Sequence, residues 1–526
     1  MTEQYLSLEL TTNPTKTTAK HIKSISIICI AFLFLSWIML EPISAPPDEL
    51  EHDIYAAATV RLEDPLPLLR ITPLPIWSAK VPGWIPSIYN ASPPLYYTDT
   101  HGYSRNPDGE VDFGNNRIVS TSTDLAHLPP FYYLFVGIPT LFNGSLTTFF
   151  SMRLISALMS MFFVGYALCA LFKSKRGPLS LAGFLLALTP ESYFLANTVN
   201  PNGTEIIASA CLWVFTGLLV TSNQDERGEL FKKFAVTAGT LSLMRTLSPL
   251  WVLLAGIYIL IGLGMKESLD ILKFKKNIKW TVFAFLGGSA TFIWDIFRGE
   301  YTHPILFYLG STYHTKPFFG RFIASIMRTG VFLSQGYSNL RNVISPIGTL
   351  IWLLLIGIGL VVALVRSKVR FKIILLLSIA SSVILPAYFE ASKGELLGPW
   401  WNGRYSLPIY VSMPILSLIF VKFRNSSKKI NHYYPKYFSL LCVGFVLLGQ
   451  FISIYELTRV SMVGLNGKVD ILLSSSATWR SYPYGWQDVW LIVNLIASSI
   501  LFWKFWSFSN SVYARDSVRR VKSEHV

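Results

Sequence analysis

The sequence predicts an all-α polytopic membrane protein, and three observations carry that prediction: the composition, the length of the apolar runs and the side on which basic residues fall. Of 526 residues, 52% are hydrophobic and only 14% are charged, and the mean hydropathy is positive. A soluble chain of this size would need more charge to cover its surface. Apolar runs of about 17–25 residues, long enough to cross a bilayer as a helix, fall near 22–40, 150–172, 179–197, 204–222, 234–248, 249–265, 280–297, 347–365, 371–389, 405–421, 437–455 and 488–506. That makes about twelve spans. With the N-terminus inside, alternation puts Lys173/Lys175/Arg176, Lys232/Lys233, Lys273/Lys275/Lys276/Lys279, Arg366/Lys368/Arg370/Lys372, Lys422/Arg424/Lys428/Lys429 and Arg519/Arg520/Lys522 in the cytoplasm, as the positive-inside rule requires.

The first run follows Lys16, Lys20 and Lys23, which raises the possibility of a signal peptide. It is long enough to span, however, and Glu41-Pro42-Ile43-Ser44-Ala45-Pro46-Pro47 is a poor cleavage site, so it reads as an uncleaved first span. Residues 41–149 then form an extracytoplasmic loop with interfacial helices, within a single transmembrane domain over 1–526 that ends in a basic cytoplasmic tail at 510–526. The loop is rich in Pro, Trp and Tyr and has a helical period only over about Asp48–Arg61, so it reads as a folded lid and not a linker. Leu128–Phe142 is apolar but short and holds Pro129, Pro130 and Pro139, which makes it interfacial or re-entrant; as a span it would move the Lys173 cluster outside. Further external loops fall near 298–346, 390–404 and 456–487.

The net charge of +15 sits in short clusters between apolar runs, which argues for cytoplasmic loops and against nucleic acid as a partner. Cys29, Cys169, Cys211 and Cys442 lie inside apolar segments without metal or disulfide spacing, so they read as packing residues. No metal motif is present, and the expected cofactor set is none.

Asp48, Glu49, Arg153, Glu191, Glu205, Arg245, Asp295, Glu390, Lys393 and Arg404 all fall near the outer ends of the predicted spans. Ionisable groups are costly in a bilayer, and a ring of them at one face argues for a site there. A transporter more often places them at the midplane, on broken helices, whereas snorkelling side chains would decorate both faces. The sharpest feature is Pro46-Pro47-Asp48-Glu49-Leu50-Glu51-His52, where two prolines stop the first helix and adjacent carboxylates start another. On that helix Asp48 and His52 would share a face. Asp48 in a partly dry site suits a general base that deprotonates an acceptor hydroxyl, with Glu49 or His52 orienting it. The plainer alternative is that both carboxylates cap the helix.

Four segments carry a resemblance: Pro-Pro-Asp-Glu-x-x-His at 46–52, His127-x-Pro129-Pro130-x-Tyr132-Tyr133, Arg153-Leu154-Ile155-Ser156 and Gly403-Arg404-Tyr405-Ser406-Leu407-Pro408. In this order they resemble the bacterial family catalogued as domain of unknown function 2142, grouped with the GT-C superfamily of membrane glycosyltransferases. The resemblance spans most of the chain. It implies a GT-C-like bundle in the bacterial inner membrane, with an active site facing the periplasm or exterior. That site would move a sugar from a polyprenyl-phosphate donor to an extracytoplasmic acceptor: a cell-surface glycan, lipid or protein. The implied partners are the polyprenyl-phosphate-linked sugar, the acceptor and membrane lipids.

For the donor phosphate, Arg404 and then Arg245 are the first candidates, because a guanidinium binds phosphate oxygens in pairs while keeping its charge. Arg153 and Lys393 are further donor-side candidates. The alternative for an arginine in a span is a structural bridge to Glu191 or Glu205. His127, Tyr132, Asn202 and Tyr405 are candidate contacts for acceptor or sugar, and Trp77, Trp84, Tyr96 and Tyr97 could stack on sugar faces or form an interfacial belt. One position departs from the family pattern: Asn200-Pro201-Asn202 stands where the family tends to show Asn-Pro-Asp, and an amide can be neither base nor strong metal ligand. Two other readings of the same residues are a transporter or lipid flippase, which would use the outer carboxylates for gating, and a glycan polymerase or ligase.

Overall fold

In a computed structural model, the structure describes residues 16–43, 46–63, 66–67, 77–91, 111–174, 177–299, 313, 315–338, 345–421, 430–463 and 486–524. The chain is a helical bundle with a small outer lid. Its helices are α1 (Lys16–Leu40), α2 (Glu49–Val60), α3 (Trp84–Ala91), α4 (Phe131–Val136), α5 (Leu146–Lys173), α6 (Pro178–Ala187), α7 (Pro190–Ala196), α8 (Pro201–Thr221), α9 (Gln224–Ser242) and α10 (Ser248–Leu263). Next come α11 (Met265–Lys273), α12 (Lys275–Gly299), α13 (Phe318–Met327), α14 (Thr329–Tyr337), α15 (Ser345–Arg366), α16 (Val369–Leu397), α17 (Leu407–Tyr410), α18 (Ser412–Phe420), α19 (Ile430–Val463) and α20 (Gln487–Glu524).

By length and apolarity eight described helices qualify as membrane spans, or ten if each of two bent pairs is one span. The differences from the twelve expected runs have local causes. The run at 179–197 is α6 and α7, bent by 65° where Thr189 caps α7 and Pro190 opens it. The run at 249–265 is α10, after which α11 turns away by 118°. The run at 234–248 is the second half of α9, whose first half carries Asp225, Glu226, Arg227, Glu229, Lys232 and Lys233 and so lowers its hydropathy. Residues 403–420 are a 3₁₀ turn (Gly403–Ser406) followed by α17 and α18. Leu128–Phe142 forms α4 and a 3₁₀ turn (Ile138–Leu141), as its length and prolines imply.

The lid adds what the sequence reading lacked, an antiparallel sheet of β1 (Leu66–Pro67), β2 (Trp77–Pro82) and β3 (Ile118–Thr123) in the order β1-β2-β3, with Trp77 opposite Thr123 and Pro82 opposite Ile118. It packs on α2, and Thr123 Oγ donates to the Glu51 carbonyl at 3.3 Å.

α8 is buried over its whole candidate span and forms the centre of the bundle. At the rim, α1 packs against α20 and α5, and α19 packs against α20. The contact between first and last helices is polar. Trp37 Nε1 donates to Gln450 Oε1 (3.0 Å), Gln450 Nε2 to Asn494 Oδ1 (2.9 Å) and Ser498 Oγ (3.0 Å), and Asn494 Nδ2 to Ser36 Oγ (2.7 Å). All five side chains are buried, so the network satisfies groups that apolar surroundings would otherwise penalise.

Candidate active site

Asp48 and Glu49 are adjacent in sequence but point to different places. Asp48 precedes α2 with φ 63° and ψ 11°, a left-handed conformation, and its side chain does not cap the helix. The backbone twist turns its carboxylate outward, where the side chain is 49% exposed. Glu49, the first residue of α2, turns inward, and Arg153 meets it with Nε to Oε1 at 2.7 Å and Nη2 to Oε2 at 2.6 Å. The same guanidinium donates to the carbonyls of Glu41 (2.7 Å) and Pro42 (2.8 Å), and both side chains of the pair are wholly buried. Glu49 Oε1 also accepts the Val199 N–H at 3.2 Å.

This corrects two expectations. Arg153 is not available for a donor phosphate, nor Glu49 for an acceptor, because each occupies the other in a closed bidentate pair. Around the pair, Glu41 and Asp53 are buried, and burial, with Glu49 adding to it and against the pull of Arg153, holds both carboxyls well above the usual carboxylate range. The pair therefore clamps α2 to α1 and α5.

Asp48 Oδ2 accepts Arg404 Nη2 at 2.7 Å. Arg404 sits at the start of the 3₁₀ turn, where Asn402 Oδ1 accepts its N–H at 3.0 Å, and its Nη2 also donates to Tyr405 Oη at 3.1 Å. Gly403 permits that approach: a Cβ there would lie 2.1 Å from the Phe332 carbonyl oxygen, and Gly403 N donates to Gln335 Oε1 at 2.9 Å, tying the turn to α14.

Arg245, in the turn between α9 and α10, donates to Glu205 Oε2 at 3.2 Å and to Asn202 Oδ1. Glu205 Oε1 takes Ser248 Oγ (2.8 Å) and Trp251 Nε1 (3.0 Å). The structural-bridge alternative is thus realised for Arg245 and Glu205. Asn202 accepts from Arg245 without neutralising it, as an aspartate would. The Arg245 and Arg404 guanidinium carbons lie 5.2 and 5.1 Å from the centroid of the Tyr405 ring. One phenol ring therefore gathers two cations beside a single half-exposed carboxylate.

The Asp48 carboxyl is pulled in two directions. Burial raises it, but the Arg404 charge, helped by the Arg404 hydrogen bond and Arg245, wins and holds it below the usual carboxylate range.

His52 is buried, with Nδ1 2.7 Å from Tyr133 Oη; burial pushes its ring down to about 3, so it is neutral. His127 Nδ1 meets the Asp124 carbonyl at 3.0 Å, and burial lowers this ring to about 4. Tyr132 is not at the mouth: it is buried, its hydroxyl donating to Ser156 Oγ at 2.7 Å, which corrects its expected role as a sugar contact. Lys393 is exposed, 6.0 Å from the Trp400 ring. Trp77 and Trp84 are buried in the lid core, not open for stacking, while Tyr96 and Tyr97 lie outside the described residues.

Two functional candidates escaped the sequence reading. They are Glu51, on the first turn of α2, and Asp124, directly after β3, brought together where Thr123 Oγ donates to the Glu51 carbonyl. Burial first, then Asp124, pushes Glu51 up to about 7; burial first, then Asp48, pushes Asp124 up to about 6. Glu51 stands inside the Asp48–His52 motif and was legible there, but Asp124 is brought in by a sheet that polar strand residues concealed. Among the described residues, no three His, Cys, Asp or Glu side chains are grouped to hold a metal ion.

Tyr133→Phe leaves a buried His52 ring nitrogen without its partner and is expected to cost about 1–3 kcal/mol. The check is a lowered thermal midpoint of the purified protein; an unchanged midpoint would show that the bond does not hold the lid.

A model of the family described as a predicted membrane protein, DUF2142, matches residues 31–413. No curated protein matches the chain. Two similar solved structures are crystal structures of ArnT from Cupriavidus metallidurans. The one bound to undecaprenyl phosphate is 13% identical, covering 94% of this chain and 77% of that chain with a TM-score of 0.42. The apo form is 12% identical, covering 95% and 78%, with a TM-score of 0.39.

Proposed function

The chain belongs to the DUF2142 family of membrane proteins, and from that premise we propose that it is a GT-C-type membrane glycosyltransferase using a polyprenyl-phosphate-linked sugar. One observation carries the reading: Asp48, a half-exposed carboxylate, is paired with one of two arginines that share the ring of Tyr405 at one end of the bundle. A phosphate on a lipid carrier is the ligand such an arginine pair suits, and a carboxylate beside it suits the acceptor.

In the transfer, the acceptor hydroxyl gives its proton to Asp48 as its oxygen bonds to the anomeric carbon. The bond from that carbon to the phosphate oxygen breaks, and its electron pair leaves with the phosphate, whose added charge Arg404 and Arg245 offset. Asp48 and an arriving phosphate compete for Arg404. A phosphate that takes the guanidinium removes the charge that lowers Asp48, which makes the carboxylate a better base when the donor is in place.

The reading places the protein in the bacterial inner membrane with its site facing the periplasm or exterior, and the charge distribution supports that orientation. Lys173, Lys273 and Arg366 close α5, α11 and α15, the ends opposite Asp48 and Arg404 along the chain's successive crossings, where the cytoplasm belongs. Acceptors fitting the reading are an extracytoplasmic glycan, lipid or protein.

The test offers the full-length protein in nanodiscs radiolabelled polyprenyl-phosphate sugars and a crude envelope extract. Label should leave the lipid with wild type. Arg404→Lys, which keeps the charge but loses the planar fork, should weaken carrier binding about ten-fold or more. A wild-type protein that neither binds nor consumes any carrier would overturn the reading in favour of transport.

A further inference from the structure

The proton released by transfer has to leave Asp48. A carboxylic acid formed beside Arg404 and Arg245 is strongly acidic, and as soon as the product phosphate departs, Arg404 draws Asp48 back to its ionised form. The structure places a second, quite different carboxyl pair next to it. Glu51 lies three residues after Asp48 on the first turn of α2, and Asp124 is brought against it by the end of β3, where Thr123 Oγ donates to the Glu51 carbonyl at 3.3 Å and the Leu125 N–H to Thr123 Oγ at 3.2 Å. Glu51 Oε2 and Asp124 Oδ1 are both buried and have no hydrogen-bond partner among the described residues. Such oxygens are costly as charges and less so once a carboxyl takes up a proton.

We propose that Glu51, held against Asp124, takes the proton from Asp48 after each transfer and carries it to solvent. This rests on the transferase reading above. The step conserves charge and atoms: the O–H bond on Asp48 breaks, one forms on Glu51, and Asp48 returns to its carboxylate, paired again with Arg404. Transfer is downhill, because Asp48 is held below the normal carboxylate range and Glu51 well above it. Asp124 acts through Glu51 and is a positioning residue.

Burial and the two neighbouring carboxylates outweigh the hydrogen bonds from Thr123 and the Asp124 backbone, which favour an ionised Glu51. Asp124 and Asp48 raise its proton affinity by like charge. His52 on the same helix and His127 after β3 are neutral near pH 7. Tyr133 on α4 is held protonated by burial, and Lys80 on β2 points to solvent. Among the described residues no cation cancels the effect of Asp124 on Glu51, and Arg404 and Arg245 are engaged by Asp48 and by Glu205 with Asn202.

The experiment measures transfer rate against pH, between about 5 and 9, for wild type, Glu51→Gln, Glu51→Asp and Asp124→Asn in nanodiscs, with carrier binding measured alongside. Glu51 accepts a proton only when ionised, so the wild-type rate should rise through about pH 7 and then level. Glu51→Gln should cut the plateau about ten- to a hundred-fold and abolish that limb, while Glu51→Asp restores part of it. Asp124→Asn removes a like charge and should move the limb to lower pH. Carrier binding should be the same in all four. A second readout does not need turnover: infrared spectra should show a protonated carboxyl lost between pH 6 and 8 in wild type and missing in Glu51→Gln.

An unchanged limb and plateau in Glu51→Gln, or the same infrared band in both proteins, would overturn the proposal and leave the transferase reading intact. Carrier that is never consumed by wild type at any pH would instead defeat the transferase reading, and the relay with it.

Discussion

Asp48→Asn is expected to leave a folded, membrane-inserted protein that transfers sugar at least about a hundred-fold more slowly, the lower end of what a positioned general base contributes. The amide keeps the shape of the carboxylate and can still accept from Arg404, so the 3₁₀ turn and the start of α2 have no reason to shift. It cannot take a proton. It also leaves Arg404 with its full charge and no anion competing for it, and so carrier binding should tighten while the rate falls. That opposite movement separates a base from a residue that merely holds the turn, whose loss would weaken both. Transfer rate and carrier affinity measured on one preparation decide it. Equal rates in mutant and wild type would remove Asp48 from the chemistry.

Arg153→Met should have the largest effect on stability. The guanidinium neutralises Glu49 in a site where neither side chain reaches solvent, and it also satisfies two backbone carbonyls. Removing one partner of a buried pair costs about 3–5 kcal/mol, because the other charge stays buried and unpaired. Here the neighbouring carboxyls, Glu41 and Asp53, are themselves buried and supply no cation to replace it. Low yield and early thermal unfolding in detergent are expected, with much of the loss recovered in Arg153→Met/Glu49→Leu, which leaves no buried ion. If the single mutant unfolds like wild type, the clamp is not what fixes α2.

The contrast between these two sites shows what the sequence could express. That Asp48, Arg245 and Arg404 share one end of the bundle was legible from counting spans and following basic clusters, although hundreds of residues separate them. Which neighbour of the Asp48–Glu49 pair faces the site was not. It depends on a backbone torsion, the left-handed turn at Asp48, that residue type permits but does not announce. Glu49 and Arg153 were both read as chemistry because burial depth is invisible to a span count. The bend at Thr189-Pro190 was written in the sequence as a helix cap followed by proline, yet an average over about twenty apolar residues hides it. β3 was missed because Ile118-Val119-Ser120-Thr121-Ser122-Thr123 alternates only weakly in hydrophobicity, and pairing with β2 decides its fate.

The polar seam between the first and last helices bears on how the protein is made. Ser36 and Trp37 enter the membrane several hundred residues before their partners, Asn494 and Gln450, are synthesised. Until then α1 has a polar edge facing lipid or an insertion factor, and the ring of helices stays open beside α5. Closure is therefore a late, single event of long sequence separation, slow by nature, and the clamp that orients Asp48 forms on a helix whose other side is still unpartnered. In Asn494→Leu the first helix loses the Ser36 bond and Gln450 loses one of its two acceptors on the last helix, so the seam closes on apolar contacts and the Trp37–Gln450 and Gln450–Ser498 bonds.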